Sequence, residues 1–367
     1  MTSCKAPWSH IWVETTGRIK PCCVFGGFPY KKHTSIQEAF DSEENKIIRS
    51  CMQSTKILNE CKGCTIYDDF EKYDLSEPAI RSLEISFDNN CNFKCVTCES
   101  KFSYLWHDED KELLDMGFDR TIFKKFKNNI KIDLDFSKLE KLRFAGGEPV
   151  MSKRAFELLD SLSNPEKVEL QFNTNNSIFP KNWIPILKKM KRVILIFSID
   201  GVHEVGEFVR YGYKQTRQDK NFKRWLDVVT KYKNIFININ YVSHGLNSLD
   251  YHNTENHIEK TLGYSKDWMR QNYGSSLEGK PIQQISIDNL YKPFYLNTAI
   301  FPDETKKIIS KNIHEKKILN HLNTKSFDLG MCKQFIEYCN FLENRMPLPR
   351  DCEIIYESVA NVLRRSI

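Results

Sequence analysis

Long apolar runs are missing from this 367-residue chain, and its mean hydropathy is −0.51. No segment approaches the length needed to cross a bilayer, which argues against a membrane protein. Residues 1–12 show no basic stretch followed by an apolar run and a small-residue cleavage site, so nothing indicates secretion. We also find no internal repeat and no low-complexity tract. We therefore expect a cytoplasmic globular protein with no membrane partner.

A strong excess of one charge is also missing. Lysine and arginine number 54 against 48 aspartate and glutamate, which gives a net charge of +6 and a pI near 8.6. The lysines are spread along the chain rather than gathered in one arm or stripe, so nucleic-acid binding is not indicated. The length allows one large core and a smaller module.

Cysteine, in contrast, is abundant. Twelve cysteines in a long cytoplasmic chain indicate metal ligands or reactive thiols more than disulfides. They fall into three groups: Cys4, Cys22, Cys23, Cys51, Cys61 and Cys64 early, Cys91, Cys95 and Cys98 together, and Cys332, Cys339 and Cys352 late. Cys51 and the three late cysteines have no partners at ligand spacing, so we expect them to be small buried hydrophobic residues.

From about residue 80, β-branched or aromatic runs alternate with helix-like stretches, which is the pattern of βα units around a parallel sheet. The predicted strands are 82–87, 141–145, 167–173, 193–199, 235–241 and 283–288. The predicted helices between them include 104–116, 153–162, 183–190 and 221–232. Such a chain can form an open doubly wound sheet or an incomplete barrel, and periodicity does not choose between them.

The flanking segments differ from this central part. Glycine, proline and six cysteines in residues 1–77 predict a small metal-stapled module. Beyond residue 300 the sequence is helical again, at 304–322, 332–344 and 352–364, without a motif that we can tie to chemistry. We predict three parts: the module at 1–77, a βα domain at 78–300 and a helical extension at 301–367.

The middle cysteine group lies in residues 91–98, Cys-Asn-Phe-Lys-Cys-Val-Thr-Cys, directly after the first predicted strand. Three thiolates are one short of the four irons of a cubane cluster, which leaves one iron open to a substrate or cofactor. A structural zinc ion would need a fourth ligand, for which Asn89, Asn90 and Asn92 are poor candidates. The next histidine, His107, falls in a predicted helix. The pattern favours an iron–sulfur cluster over zinc.

The spacing of Cys91, Cys95 and Cys98 resembles the signature of the radical S-adenosylmethionine superfamily. The resemblance implies a catalytic [4Fe–4S] cluster whose open iron chelates the amino and carboxylate groups of S-adenosylmethionine. One electron then breaks the sulfonium bond, and the resulting 5′-deoxyadenosyl radical abstracts hydrogen from a substrate. It also implies an α/β fold, a partial (β/α)6 TIM-like barrel with its chemistry at the C-terminal ends of the strands. An electron donor such as a flavodoxin or ferredoxin is the implied partner.

Further motifs follow in the order that this resemblance requires. Gly146 and Gly147 end the second predicted strand, where they let the backbone approach a ligand, and Glu148 comes next. The resemblance implies that this motif holds the amino group of S-adenosylmethionine. Many family members carry an aromatic residue just before the third cysteine to pack on the adenine, but this chain has Thr97. Phe93 is our candidate for that contact.

The third and fourth predicted strands end in further candidates. Ser198 and Asp200 lie two residues apart and project to the same face of the strand. The resemblance implies that Ser198 and Arg210 contact the methionine carboxylate, a task suited to a hydroxyl and a guanidinium. The alternative is a satisfied hydroxyl and a surface arginine. Thr174 and Asn175 are candidates for the ribose side of the cofactor, or plain loop residues.

The early cysteines can form a second site. Cys4, Cys22 and the pair Cys61 and Cys64 supply the four thiolates that a closed cluster or a zinc site requires. Cys23 can replace Cys22. The arrangement resembles SPASM and twitch modules, which bind auxiliary [4Fe–4S] clusters in enzymes that modify peptides, sugars and other substrates. Those modules usually follow the barrel, whereas this one precedes it.

The substrate is not readable from these residues. Since relatives with auxiliary clusters often modify peptides, the resemblance favours a peptide or protein side chain. A carbohydrate or a nucleotide-linked small molecule is the alternative within the enzyme class. From another class, the alternative is a zinc-stapled interaction protein on a degenerate barrel, with no catalysis.

Overall fold

The computed structural model describes residues 4–26, 33–54, 58–61, 64, 75–262, 282–290 and 292–365, with only the backbone at 262 and 282–286. The chain divides into two compact units. Unit 1 comprises Met1–Cys91, Phe123–Asn173 and Pro180–Leu195, and unit 2 comprises Asn92–Ile122, Thr174–Phe179 and Ile196–Ile367. The predicted boundaries at residues 77 and 300 stay a prediction.

The strands follow the predicted alternation. In chain order they are β1 (His10–Val13), β2 (Ile19–Lys20), β3 (Ser82–Ser86), β4 (Lys94–Cys95), β5 (Lys141–Ala145), β6 (Glu169–Thr174), β7 (Arg192–Ser198), β8 (Arg210–Tyr211), β9 (Ile235–Ser243) and β10 (Ile282–Asn289). The six predicted strands correspond to β3, β5, β6, β7, β9 and β10, with ends that agree to about two residues. The prediction of these strands is confirmed, and the fold is α/β with a mostly parallel sheet.

Helices occupy most of the segments between and after the strands. They are α1 (Ala6–Ser9), α2 (Ile36–Phe40), α3 (Glu43–Gln53), α4 (His107–Asp115), α5 (Lys153–Asp160), α6 (Ile184–Leu187), α7 (His203–Val209), α8 (Gln215–Lys231), α9 (Tyr251–Leu262), α10 (Asp303–Asn312), α11 (Lys316–Leu322), α12 (Leu329–Glu343) and α13 (Arg350–Arg365). The prediction of a single helix at 304–322 was wrong. Ile313 is extended and Glu315 caps a new helix by accepting from the Lys317 amide, so two helices form.

In unit 1 the strands β1, β3, β5 and β6 pair in parallel, and β2 adds an antiparallel edge beside β1. Ile85, Phe144 and Phe172 stand in register on neighbouring strands and are almost fully buried. Because parallel strands end at the same edge, this register places the residues after β5 beside those after β3. The N-terminal segment contributes α2 and α3, which begin at the capping residues Ser35 and Ser42.

In unit 2 the strands β9 and β10 pair in parallel, and β4 pairs with β8 antiparallel. Helix α8 buries Phe222, Trp225 and Val229 at helical spacing. The core also takes in residues from α4, α12 and α13. Of the four cysteines predicted to be buried small residues, Cys332, Cys339 and Cys352 lie in it at 0% exposure, whereas the prediction was wrong for Cys51, which is only half-buried. Among the described residues, no helix combines the length and the apolar character that a membrane span requires.

Candidate functional site

The glycine motif after β5 lies against the segment that leads to the cysteines. The Gly147 amide donates to the Asp88 carbonyl at 3.3 Å, and the Glu148 amide donates to the Asn90 carbonyl at 2.8 Å. A Cβ on Gly147 would lie 2.3 Å from the Asn90 oxygen, so only glycine permits this approach. Gly146 has φ +104°, a conformation that favours glycine. The close approach that these glycines allow is thus to the chain's own backbone, and their contact with a cofactor stays a prediction.

The cysteine segment, residues 91–98, is held in unit 2 by contacts with residues 209–212. Strands β4 and β8 pair Cys95 with Arg210, and the Val96 amide donates to the Val209 carbonyl at 2.9 Å. Gly212, at φ +104°, allows a close approach, since a Cβ there would lie 2.7 Å from the Asn92 carbonyl oxygen. The backbone of the segment is therefore fixed by a second strand, and Arg210 is brought to the cysteines by this pairing.

Arg210 is buried, which excludes the surface alternative. Its Nη1 forms an ion pair with Asp200, whose other carboxylate oxygen accepts from the Val242 amide at 2.9 Å. Burial disfavours the charged guanidinium, but the negative charges of the Cys95 thiolate and the Asp200 carboxylate raise the pKa of Arg210 above the usual value. The hydrogen bond with Cys98 and the charge of Arg210 together lower the pKa of Cys95, against the effect of burial. This site therefore favours the Cys95 thiolate.

The candidates after β6 are tied to Asn92. The Asn175 amide nitrogen donates to Asn92 Oδ1 at 2.9 Å, and Asn92 donates in turn to Ser177 Oγ at 2.8 Å. Thr174 Oγ1 accepts from the backbone of the same turn. The Phe93 ring is 1% exposed and packs edge-on against another aromatic ring, which is a core environment. The ribose and adenine contacts proposed for these residues stay predictions.

The donor set of the cysteine segment fits an iron–sulfur cluster. Cys91 is the last residue of the first segment of unit 1, while Cys95 and Cys98 lie in unit 2, where their side chains hydrogen-bond. Thiolates are the form that binds iron, and the lowered pKa of Cys95 supplies one. Within the part of the chain that the structure describes, no three Cys, His, Asp or Glu side chains form a group that could hold a metal ion as they stand. The assignment of the three ligands therefore rests on donor chemistry and spacing.

The early cysteines meet in unit 1 around a cavity of about 30 Å³. Its lining includes Cys4, Cys22, Cys61 and Cys64 among apolar side chains, whereas Cys23 is exposed and outside the lining. Burial raises the pKa of Cys22 to about 11, and burial together with Cys4 and Cys64 raises that of Cys61 to about 11. As they stand, these four described thiols do not form a group that could hold a metal ion, so their role as ligands of a second cluster stays a prediction. Of Cys22 and Cys23, only Cys22 lines this cavity, and the choice of ligand between them stays a prediction.

Sequence reasoning missed His244, which follows directly after β9. It is 0% exposed, its Nδ1 accepts from the Leu246 amide at 3.2 Å, and its Nε2 is buried without a hydrogen-bond partner among the described residues. Burial lowers the pKa of His244 to about 4, while the charges of Asp200 and Arg210 act in opposite directions. Its position at the C-terminal end of a strand is the signal that could have identified it.

Comparison with known proteins identifies a family match in the middle of the chain. Residues 85–262 match the family model of the Radical SAM superfamily. The match covers somewhat less than half of the chain and includes the cysteine segment, the glycine motif and Arg210. This part of the chain therefore matches a radical SAM domain, and the match supports an enzyme. The match counts against a non-catalytic zinc-stapled protein.

Three solved structures are similar at low identity. Native anSMEcpe with bound AdoMet is 17% identical, with 72% of this chain and 62% of that chain covered and a TM-score of 0.37. Streptococcus suis SuiB is 15% identical, with 80% and 61% covered and a TM-score of 0.38. SuiB bound to the precursor peptide SuiA is 15% identical, with 84% and 60% covered and a TM-score of 0.36. The chain thus covers 60–62% of the length of these proteins.

Proposed function

We propose that the chain cleaves S-adenosylmethionine reductively at a [4Fe–4S] cluster held by Cys91, Cys95 and Cys98. The bound cluster would supply one electron to the sulfonium, giving methionine and a 5′-deoxyadenosyl radical that abstracts hydrogen from the substrate. The observation that carries the proposal is the pairing of Cys95 with Arg210, within a segment that matches the radical SAM family. The electron would come from a flavodoxin or a ferredoxin, and the domain would be a partial (β/α)6 barrel.

In this proposal the residues around the cysteines bind and orient S-adenosylmethionine. Arg210 and Ser198 bind the carboxylate. The Nε of Arg210 is buried and makes no hydrogen bond among the described residues, so it can donate to an added acceptor. Asp200 holds the guanidinium in place from the other side. The remaining contacts follow the resemblance: Gly146, Gly147 and Glu148 at the amino group, Thr174 and Asn175 at the ribose, and Phe93 at the adenine.

The contact of Arg210 with the carboxylate can be tested by calorimetry of S-adenosylmethionine binding to the anaerobically reconstituted protein. Arg210→Ala should weaken binding about ten- to hundredfold, because it removes a charge-assisted hydrogen bond of roughly 1.5 to 3 kcal/mol. Its iron content should not change, since no ligand is removed. Arg217→Ala, an exposed arginine seven residues further on, is the matched control. Equal affinities for the two variants would exclude Arg210 from the cofactor site.

We further propose that Cys4, Cys22, Cys61 and Cys64 hold an auxiliary [4Fe–4S] cluster, in a module of the twitch or SPASM type. What supports this is the single apolar cavity that these four cysteines line. A hydrogen bond from the Ala6 amide to Cys4 Sγ at 3.4 Å is of the kind that stabilises a thiolate ligand. A zinc ion is the alternative occupant, and iron and zinc analysis of the purified protein distinguishes the two.

For the substrate, we propose a peptide or protein side chain. The support is the spacing of the early cysteines, which resembles that of auxiliary-cluster enzymes that modify peptides. A carbohydrate or nucleotide-linked molecule is the alternative. The identity of the neighbouring genes decides between them: a short precursor peptide favours the first, and glycosyltransferases or nucleotide-sugar enzymes favour the second.

A further inference from the structure

The carbonyl groups of the cysteine segment are held by side chains from other parts of unit 2. Four of them accept a hydrogen bond from a buried or half-buried donor. The pairs are Ser103 Oγ with the Phe93 carbonyl at 2.6 Å, Trp106 Nε1 with Cys95 at 3.0 Å, Tyr338 OH with Val96 at 2.8 Å, and Arg120 Nη1 with Cys98 at 2.7 Å. Strand β8 already holds one edge of the segment. These side-chain donors hold carbonyl groups of the segment that the strand pairing does not bind.

Arg120 is the charged member of this set. Its side chain is 3% exposed, its Nη2 donates to the Tyr295 hydroxyl at 2.8 Å, and its Nη1 lies 3.6 Å from Asp110 Oδ1. The guanidinium carbon also stacks 5.5 Å from the ring centre of Tyr338. A buried cation is tolerated only when it is paired and hydrogen-bonded, and these contacts hold Arg120 in one position beside the Cys98 carbonyl.

Tyr338 comes from α12, 242 residues after Val96. It is 0% exposed, and burial raises its pKa to about 12, so its hydroxyl stays protonated and remains a donor. The sequence of the C-terminal helices has no motif that we could tie to chemistry. Through Tyr338 one of them reaches the backbone between two of the predicted cluster ligands.

We propose that Arg120 and Tyr338 are positioning residues for the cysteine segment, and that Arg120 also raises the reduction potential of the cluster held there. The proposal rests on the cluster assignment under the proposed function. Reduction adds negative charge to the cluster, and a fixed positive charge in a poorly solvated site stabilises the reduced form. Ligands oriented by second contacts of this kind also release their metal less readily.

The effect of the Arg120 charge is tested by measuring the midpoint potential of the cluster in the reconstituted protein. Electron paramagnetic resonance reports the reduced fraction. Arg120→Met should shift the reduction equilibrium about tenfold toward the oxidised form, which is 59 mV for a one-electron couple. Arg120→Lys keeps the charge and should shift it much less. Arg345→Met is the matched control, because Arg345 stacks on the Trp106 ring at 4.2 Å and pairs with Glu109. Equal shifts for the two methionine variants, or none for Arg120→Met, would overturn the assignment of the charge.

The positioning role is tested by the rate at which a chelator removes iron. Tyr338→Phe keeps the ring and removes the hydroxyl, so loss of the cluster should become about five- to tenfold faster, as expected for one hydrogen bond. Tyr356→Phe is the control, since that hydroxyl donates to Asn340 on the protein surface. Equal rates for the two variants would overturn the role of Tyr338 while leaving the proposed function intact. A wild-type protein that takes up no iron would overturn both.

Discussion

The buried ion pair between Arg210 and Asp200 leads to a quantitative prediction about stability. The two side chains are 11% and 5% exposed. Removing one partner of a buried pair leaves the other charge in a poorly solvated site, which typically costs 3 to 5 kcal/mol. Asp200 keeps its hydrogen bond from the Val242 amide, so we place the cost of Arg210→Met near the lower end, at about 3 kcal/mol.

A double-mutant cycle measures this coupling. Arg210→Met, Asp200→Asn and the double variant are unfolded in urea at pH 7, and the free energies of unfolding are compared. The double variant should cost less than the sum of the single variants by at least about 2 kcal/mol, because it leaves no unpaired charge. The control is the surface pair of Lys317 and Asp288, at 2.8 Å and with both side chains 53% exposed. Its coupling should stay below about 1 kcal/mol.

The outcome that would refute this reasoning is a coupling energy for Arg210 and Asp200 no larger than that of the surface pair. The guanidinium would then be solvated in the native protein, and its proximity to Cys95 would no longer bear on the thiolate.

Two further predictions concern stability against acid and the auxiliary site. Because the pKa of His244 is about 4 in the folded protein against 6.5 for the free side chain, the unfolded state binds more protons between these values. The free energy of unfolding is therefore retained above pH 6.5 and falls as the pH is lowered, by about 2 kcal/mol at pH 5. His244→Gln should remove this part of the loss when urea unfolding above pH 6.5 is compared with urea unfolding at pH 5. A loss that is unchanged in the variant would contradict the prediction. The prediction for the auxiliary site is that Cys61→Ala/Cys64→Ala lowers the iron content from about eight to about four irons per chain. One zinc ion in the wild type beside four irons would make the site structural, and four irons without zinc would mean that it binds no metal.

The strands and the cysteine segment could be predicted because their signals are local in sequence. Alternation of apolar runs and helical stretches located β3 and β5, and three cysteines within eight residues indicated the proposed cluster ligands. Strand β1 was not predicted, since its four residues are too few to show a period, yet it pairs in parallel with β3.

The residues that were missed act over long separations. Tyr338 and Arg120 are ordinary residues of helical or loop segments in the sequence, and only the folded chain places them against Val96 and Cys98. The break near Ile313 was missed for a different reason. The sequence on both sides of the break has the composition of a helix, and only three residues separate the two helices.

In the proposed function, Cys91, Cys95 and Cys98 hold a cluster that cleaves S-adenosylmethionine. The most direct measurement is the formation of 5′-deoxyadenosine by the anaerobically reconstituted protein with a strong reductant, quantified by chromatography and mass spectrometry. We expect slow formation of 5′-deoxyadenosine without any substrate, and none in the Cys91→Ala/Cys95→Ala/Cys98→Ala variant. A triple variant that still forms 5′-deoxyadenosine, or a wild-type protein with its full iron content that forms none, would contradict it.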